Sequence, residues 1–134
     1  MTALTAFDAD VLIYAAIPEH PLGVPVVSLL QEDQGVGSVL LLPEVLIKPM
    51  RTDAGSAEVD DLIRIISRVR LLPFDQVVAE LAVALGVRYG LRAADAAHLA
   101  TAVSAGADRF LTNNRKDFPL DISEIDIIYP EMLG

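Results

Sequence analysis

The chain of 134 residues has no cysteine, no tryptophan and only two histidines. Without cysteine there is no thiol nucleophile, no disulfide framework and no cysteine-bound zinc. His20 and His98 are too far apart in sequence to form a local metal motif such as H-E-x-x-H. Long apolar runs are also missing. Val39–Leu42 stops at Pro43 and Val45–Ile47 stops at Lys48-Pro49, so no run is long enough to cross a membrane. The first residues, Met1-Thr2-Ala3-Leu4, lack the cationic region of an export signal, and a cytoplasmic protein is expected. Bases are scarce as well. Ten Lys and Arg against nineteen Asp and Glu leave a net charge of −9. Such a chain has no global field to attract nucleic acid or an anionic membrane. Action on a polyanion would need a local basic patch, a basic partner or bound cations. Of the ten bases only Lys48 and Lys116 are lysines; the rest are arginines, the better forks for phosphate.

What is present points to a folded α/β domain. Hydrophobic residues make up 53% and charged residues 22%, which excludes disorder. The length suits a single domain, residues 1–134. Leu4-Phe7 reads as a buried parallel strand, followed by a helix through Ala16 and another from Leu22 to Glu32. Gly35 and Gly37 read as a break, and Ser38-Leu42 as a second strand. Pro43 is expected to open a helix at its first position, and Lys48–Gly55 to be the most flexible loop. A helix starting at Ser56 runs to about Val69, and Arg70–Phe74 reads as a third strand. Asp75 is the expected N-cap of a helix ending near Gly90. Arg92–Ala105 is a further helix, closed by Gly106. Arg109–Thr112 and Asp126–Tyr129 read as the last two strands. Alternation of this kind predicts a three-layer α/β/α sandwich with a mainly parallel central sheet.

In open α/β sheets, ligands bind beyond the carboxyl ends of the strands. Asp8 and Asp10 follow the first strand there, Glu44 follows Pro43, and Asn113, Asn114 and Asp117 follow the fourth strand. Asp95 lies in the first turn of a helix otherwise rich in alanine. A carboxylate in such surroundings needs a partner, either a metal or an arginine. Several carboxylates in one pocket repel each other, and a hard divalent ion resolves the repulsion: Mg²⁺, or Mn²⁺ with the same ligands. One such ion lowers the pKa of water, and a pair of them can clamp the attacking and leaving oxygens of phosphodiester cleavage. His98, one turn after Asp95, reads as a packed histidine. Asp60-Asp61 and Asp121, Glu124 and Asp126 read as solvated surface.

Four segments carry a resemblance. Phe7-Asp8-Ala9-Asp10-Val11-Leu12-Ile13 resembles the opening strand and helix of PIN domains, with Asp8 on the family's first acid. Asp10 stands where the family usually has Asn or Ser. Pro43-Glu44-Val45-Leu46 resembles the second motif. Ala94-Asp95-Ala96-Ala97-His98-Leu99-Ala100-Thr101-Ala102 is similar to the third, with Asp95 on its acid. Gly106 to Phe118 is similar to the fourth, except that Asn114 occupies the place of the usual fourth Asp. The length matches the single-domain toxins of VapBC toxin–antitoxin pairs. The resemblance implies a metal-dependent endoribonuclease acting on structured RNA, a cognate antitoxin that covers the site, and a homodimer. It implies that Asp8, Glu44 and Asp95 form the catalytic and metal-binding set, using Mg²⁺ or Mn²⁺. Asn114 or Asp117 would complete the shell, and Thr112 would bond a neighbouring acid or water. Arg115 and Lys116 are the expected phosphate contacts, with Arg51 and Arg92 as further candidates.

Two other readings stand beside it. Asp8-x-Asp10 also matches the nucleophile motif of haloacid-dehalogenase-type phosphatases, although no late acidic pair follows. Asn114 and the charge of −9 also suit a PIN scaffold with a weakened site that works by binding a partner.

Overall fold

Five short strands, all parallel, form one sheet in the computed structural model, which describes residues 3–32 and 34–133. Met1, Thr2, Asp33 and Gly134, which the single-domain reading includes, lie outside the described residues. The elements run β1 (Leu4–Phe7), α1 (Ala9–Ala16), α2 (Val24–Glu32), β2 (Gln34–Ser38), α3 (Leu41–Asp53), α4 (Ala57–Ile66), β3 (Arg70–Leu72), α5 (Gln76–Tyr89), α6 (Ala93–Ser104), β4 (Arg109–Leu111) and β5 (Asp126–Ile128). A 3-10 turn over Pro130–Leu133 ends the chain's regular structure.

Successive residues of a strand face opposite sides of the sheet. Ala6, Val36, Phe110 and Ile127 therefore face one side, where they pack with Val78, Ala82 and Leu85 of α5 and with Leu99 and Ala102 of α6. Their neighbours Phe7 and Leu111 face the other side, against Leu12 of α1, Val26 of α2, Leu41 of α3 and Leu62 of α4. Two apolar layers on one sheet make the expected three-layer sandwich. Caps fix where helices begin. The Asp8 carboxylate accepts from the Ala9 N–H at 2.8 Å, the Ser56 hydroxyl from the Val59 N–H at 3.2 Å, and Asp75 from the Val78 N–H at 3.0 Å. Gly90, at φ +66°, closes α5 in the left-handed region that favours glycine.

The sheet order is β3-β2-β1-β4-β5. Starting from the central β1, the chain first lays β2 and β3 to one side, then returns to add β4 and β5 on the other. The order reverses between β1 and β4. The loops after them diverge there and leave a crevice at the carboxyl edge, the usual ligand position in such sheets.

Two expectations are corrected around β2. The strand is Gln34–Ser38, four residues earlier than the apolar run Ser38-Leu42 suggested, and Leu41 already belongs to α3. The glycines that read as a break lie inside the strand. A side chain at Gly35 would press on the Phe7 ring and one at Gly37 on Leu41, so the register Leu4↔Gln34 with β1 requires their smallness. Lys48–Gly55 is likewise helical as far as Asp53, with Pro49 inside α3. Pro43 sits in the first turn, not at the first position. It is tolerated there because first-turn N–H groups have no partner within the helix.

A backbone approach between α1 and α2 sets a testable limit. A Cβ added to Gly23 would collide with the carbonyl group of Tyr14. Backbone cannot rotate away as a side chain can. Gly23→Ala is therefore expected to cost about 2 kcal/mol or more in urea unfolding. A loss below about 0.5 kcal/mol, the ordinary range for a surface change, would contradict this.

Candidate active site

Asp8, Glu44, Asp95 and Asp117 come from four different segments, and the topology gathers them. Asp8 ends β1 and caps α1. Glu44 lies in the first turn of α3, Asp95 in the first turn of α6, and Thr112 to Asp117 form the loop after β4. Parallel pairing of β1 with β4, in the register Phe7↔Leu111, sets Asp8 beside Thr112. The Asp8 N–H continues that ladder by donating to the Leu111 carbonyl at 3.0 Å.

Hydrogen bonds tie the Asp8 carboxylate to the loop after β4. The Thr112 hydroxyl donates to the second oxygen of Asp8 at 2.8 Å and accepts the Asn114 N–H at 3.0 Å. The Asn114 side-chain amide donates to the Asp117 carboxylate at 3.0 Å, and the Asp117 N–H returns a bond to the Asn114 side-chain oxygen at 3.3 Å. The Asp117 carboxyl lies close enough to Asp95 to raise its pKa. Asp10 fastens the same loop from the other side: its carboxylate accepts the Asn113 N–H at 3.0 Å. The Asn113 side chain reaches the Tyr14 hydroxyl at 3.4 Å. Across the crevice, Glu44 is hydrogen-bonded to Nε2 of His98, whose ring is buried.

Burial and mutual repulsion act on these carboxyls together. Burial raises the Asp8 pKa, against the Thr112 hydrogen bond and the His98 charge, which lower it. Burial and the charge of Asp8 push Asp10 up to about 7, against the Asn113 and Val11 N–H groups. Asp95 rises to about 6, first by burial, then by the charges of Asp8 and Asp117. Burial pulls His98 down. Its hydrogen bond to Glu44 and the charges of Glu44, Asp8 and Asp95 outweigh that and leave its pKa raised.

Negative charge crowded beyond comfort is what a bound cation relieves. Asp8, Glu44 and His98 each offer one ligand atom, all within 4.8 Å of one another, and Asp95 is close enough for Asp8 and Glu44 to shift its pKa. Hard carboxylate oxygens in the majority fit a divalent ion of the Mg²⁺ or Mn²⁺ kind.

Of the expected site residues, Asp8, Glu44, Asp95, Asn114 and Asp117 meet in one place. Asn114 spends its side chain on Asp117. Arg115 turns away from the crevice, forming an ion pair with Glu131 at 2.6 Å and lying 4.4 Å over the Tyr129 ring. Lys116 and Arg92 are exposed near the loop and the start of α6, and Arg51 is exposed on α3. The sequence reading left out His98 as a site residue. Its i+3 spacing from Asp95, which places both on one helix face, was the available signal. Glu124, expected to be solvated surface, is partly buried and paired with Arg88 at 2.6 Å.

A carboxylate cluster at the reversal point of an all-parallel sheet defines an α/β protein with an acid-lined, cation-fitting crevice. The chain belongs to the PIN domain family, whose model matches residues 6–120. By shape it is similar to a chain of a toxin–antitoxin complex from Klebsiella pneumoniae, at 26% identity and TM-score 0.75, covering 96% of this chain and 98% of that one. It is also similar to a chain of DNA-bound VapBC from Salmonella typhimurium, at 20% identity and TM-score 0.74 over 97% and 99% of the two chains. A third likeness is to a chain of VapBC2 from Rickettsia felis bound to a promoter DNA fragment, at 14% identity and TM-score 0.73 over 94% and 98%. Comparison with curated proteins by sequence gives no significant match.

The raised pKa of Asp95 fixes a sign. Its folded value, about 6, lies above the unfolded value near 3.8. Its contribution to stability is thus fully present below about pH 4 and is lost as pH rises through 6. In metal-free protein, Asp95→Asn is expected to be more stable than wild type at pH 7.5 by on the order of 1 kcal/mol, discounted for solvent screening of this half-exposed group. The difference should vanish at pH 4. Thermal unfolding at the two pH values checks it; a variant no more stable than wild type at pH 7.5 would remove the repulsion argument.

Proposed function

We propose that this protein is a Mg²⁺-dependent endoribonuclease, the toxin of a VapBC-type pair, acting on structured RNA in the cytoplasm. The observation that carries this reading is the convergence of Asp8, Glu44, Asp95 and Asp117 from four separate segments on one crevice. Family membership and the likeness to chains of toxin–antitoxin complexes support it. Membership also leaves the phosphatase alternative without support. The weakened-site alternative loses its main motive, because Asn114 presents another carboxylate, Asp117.

In this reading Asp8, Glu44 and Asp95 hold the ion, with His98 as a neighbouring donor and Asp117 as the fourth acid. When bound, the ion would lower the pKa of water and neutralise charge on the scissile phosphate. Asp8 is fixed by the Ala9 N–H and the Thr112 hydroxyl, so its carboxylate cannot swing away. Glu44, backed by His98, is placed to orient the attacking water and accept its proton. The water oxygen bonds to phosphorus in line with the breaking P–O bond, and the leaving oxygen takes up a proton. Asn114 acts as a positioning residue for Asp117.

Apolar surface beside the crevice supports a covering partner. Ile13, Val45, Pro49 and Leu62 line a groove that adjoins Glu44, and Ile47 and Met50 of α3 are exposed close by. This is where an antitoxin segment would bury side chains while closing access to the acids. For the homodimer, Val77, Val83 and Val87 of α5 offer the most exposed aliphatic surface among the described residues.

The test is cleavage of total cellular RNA with Mg²⁺, with Mn²⁺ and with EDTA. Wild type should cut only with metal. Asp8→Asn and Asp95→Asn should each lose at least about a hundredfold in rate, the loss expected when a group that stabilises the transition state is removed, while remaining folded. Metal-independent cleavage, or full activity in both variants, would refute the reading. No cleavage by wild type on any RNA would favour a partner-binding scaffold.

A further inference from the structure

The chain's few bases are not spread evenly. Arg64, Arg88 and Arg115 are held in ion pairs with Asp61, Glu124 and Glu131, and Arg109 donates to Thr5. Lys48, Arg51, Arg68, Arg70, Arg92 and Lys116 are exposed and make no ion pair among the described residues. Arg68 and Arg70 lie at the amino edge of the sheet, the far end from the acids. The other four lie on the elements that carry the acids, Lys48 and Arg51 on α3 with Glu44. Arg92 precedes the first turn of α6, which carries Asp95, and Lys116 adjoins Asp117.

Lys48 and Arg51 make the most ordered part of this set. They share α3 with Glu44, at i+4 and i+7, so all three fall within one narrow stripe of the helix. Arg51 is about 10 Å along the axis from Glu44, at 1.5 Å per residue. Lys48 lines the same groove as Glu44, together with Thr52 of the same helix and Glu58 of the facing helix α4. Glu58 is within that groove but forms no ion pair with Lys48. An unpaired cation beside a carboxylate, in a chain with nearly two acids per base, is cheap to neutralise, yet Lys48 and Arg51 are left open.

We infer that Lys48 and Arg51 form a phosphate track that leads a polynucleotide strand away from the acid crevice along α3. The inference rests on the nuclease reading above, in that it supplies the local basic patch such a substrate needs on an acidic protein. The stripe binds two backbone phosphates outside the reacting position. It carries no base recognition, because no partner among the described residues fixes either side chain in one orientation. Its contribution is therefore sequence-independent and sensitive to salt. Arg115, locked on Glu131 and Tyr129, is not part of it.

The experiment is equilibrium binding of a fluorescent mixed-sequence single-stranded RNA of twelve nucleotides. Ca²⁺ replaces Mg²⁺, and intact RNA is confirmed on a gel. Affinity is measured over a series of salt concentrations for wild type, for the double variant Lys48→Gln/Arg51→Gln, and for the control Arg68→Gln/Arg70→Gln. Each lost single-strand phosphate contact reduces the slope of log K against log salt by about 0.7. The double variant should therefore show a slope shallower by about 1.4, and the control an unchanged slope. All four positions are exposed, so circular dichroism should report intact folds. An unchanged slope in the double variant, with wild type binding, would overturn the track and leave the nuclease reading standing. An equal loss in the control would overturn it too, by showing diffuse charge instead of a track. Failure of wild type to bind this strand would overturn the track; the nuclease reading stands or falls separately, on metal-dependent cleavage of total cellular RNA.

Discussion

The pairing of β1 with β4 is the constraint on which the site depends. It is a non-local contact, joining the beginning of the chain to residues about a hundred positions later. It sets Asp8 beside Thr112 and brings the Asn113–Asp117 loop against the start of α1. It also forms where the strand order reverses, so the two loops part instead of crossing, and the crevice exists because of that parting. The α6 helix, packed beneath through Leu99 and Ala102, then delivers Asp95 and His98 to the same opening. Remove this pairing and the acids return to four unrelated segments.

The crevice is held against its own electrostatics. Asp8, Asp10 and Asp95 all have raised pKa values, with burial the largest cause in each. Apolar packing on both faces of the sheet supplies the stability that this crowding consumes, with buried side chains such as Phe7, Phe110 and Leu12 each contributing about 1.5–3 kcal/mol. Hydrogen bonds then fix orientation: Thr112 holds Asp8, Asn114 holds Asp117, and Asn113 is tied to Asp10. A stable scaffold with a strained polar centre is the usual form of a functional site. It also explains the use of Asp10 where the family usually has Asn or Ser. Both its oxygens are occupied by backbone N–H groups, of Val11 and Asn113, so it works as a fastener between α1 and the β4 loop.

Much of this was legible in the sequence, and the failures have physical causes. Helices with strong caps and periodicity, such as α4 after Ser56 and α5 between Asp75 and Gly90, read correctly because local chemistry decides them. β2 did not, because its glycines answer to the Phe7 ring on β1 and to Leu41 on α3, both outside residues 34–38. The helix α3 was obscured by Pro43 and Pro49, both tolerated once its face packs through Leu41 and Val45. Asp8, Glu44 and Asp95 were legible as acids following strands or opening helices. The partnership of Glu44 with His98, fifty-four residues apart, was not, nor was the diversion of Arg115 to Glu131. Such pairings arise from three-dimensional packing and leave no local pattern.

Calorimetric titration decides whether Asp8, Glu44, Asp95 and Asp117 together form a metal centre. Metal-free protein at pH 7.5 is titrated with Mn²⁺ and with Mg²⁺, alongside Glu44→Gln and Asp117→Asn. Wild type should bind the ion saturably. Glu44→Gln should abolish most of that binding and Asp117→Asn weaken it by less. Absence of saturable binding in wild type, or binding undiminished by both substitutions, would mean that these carboxyls do not form a metal centre.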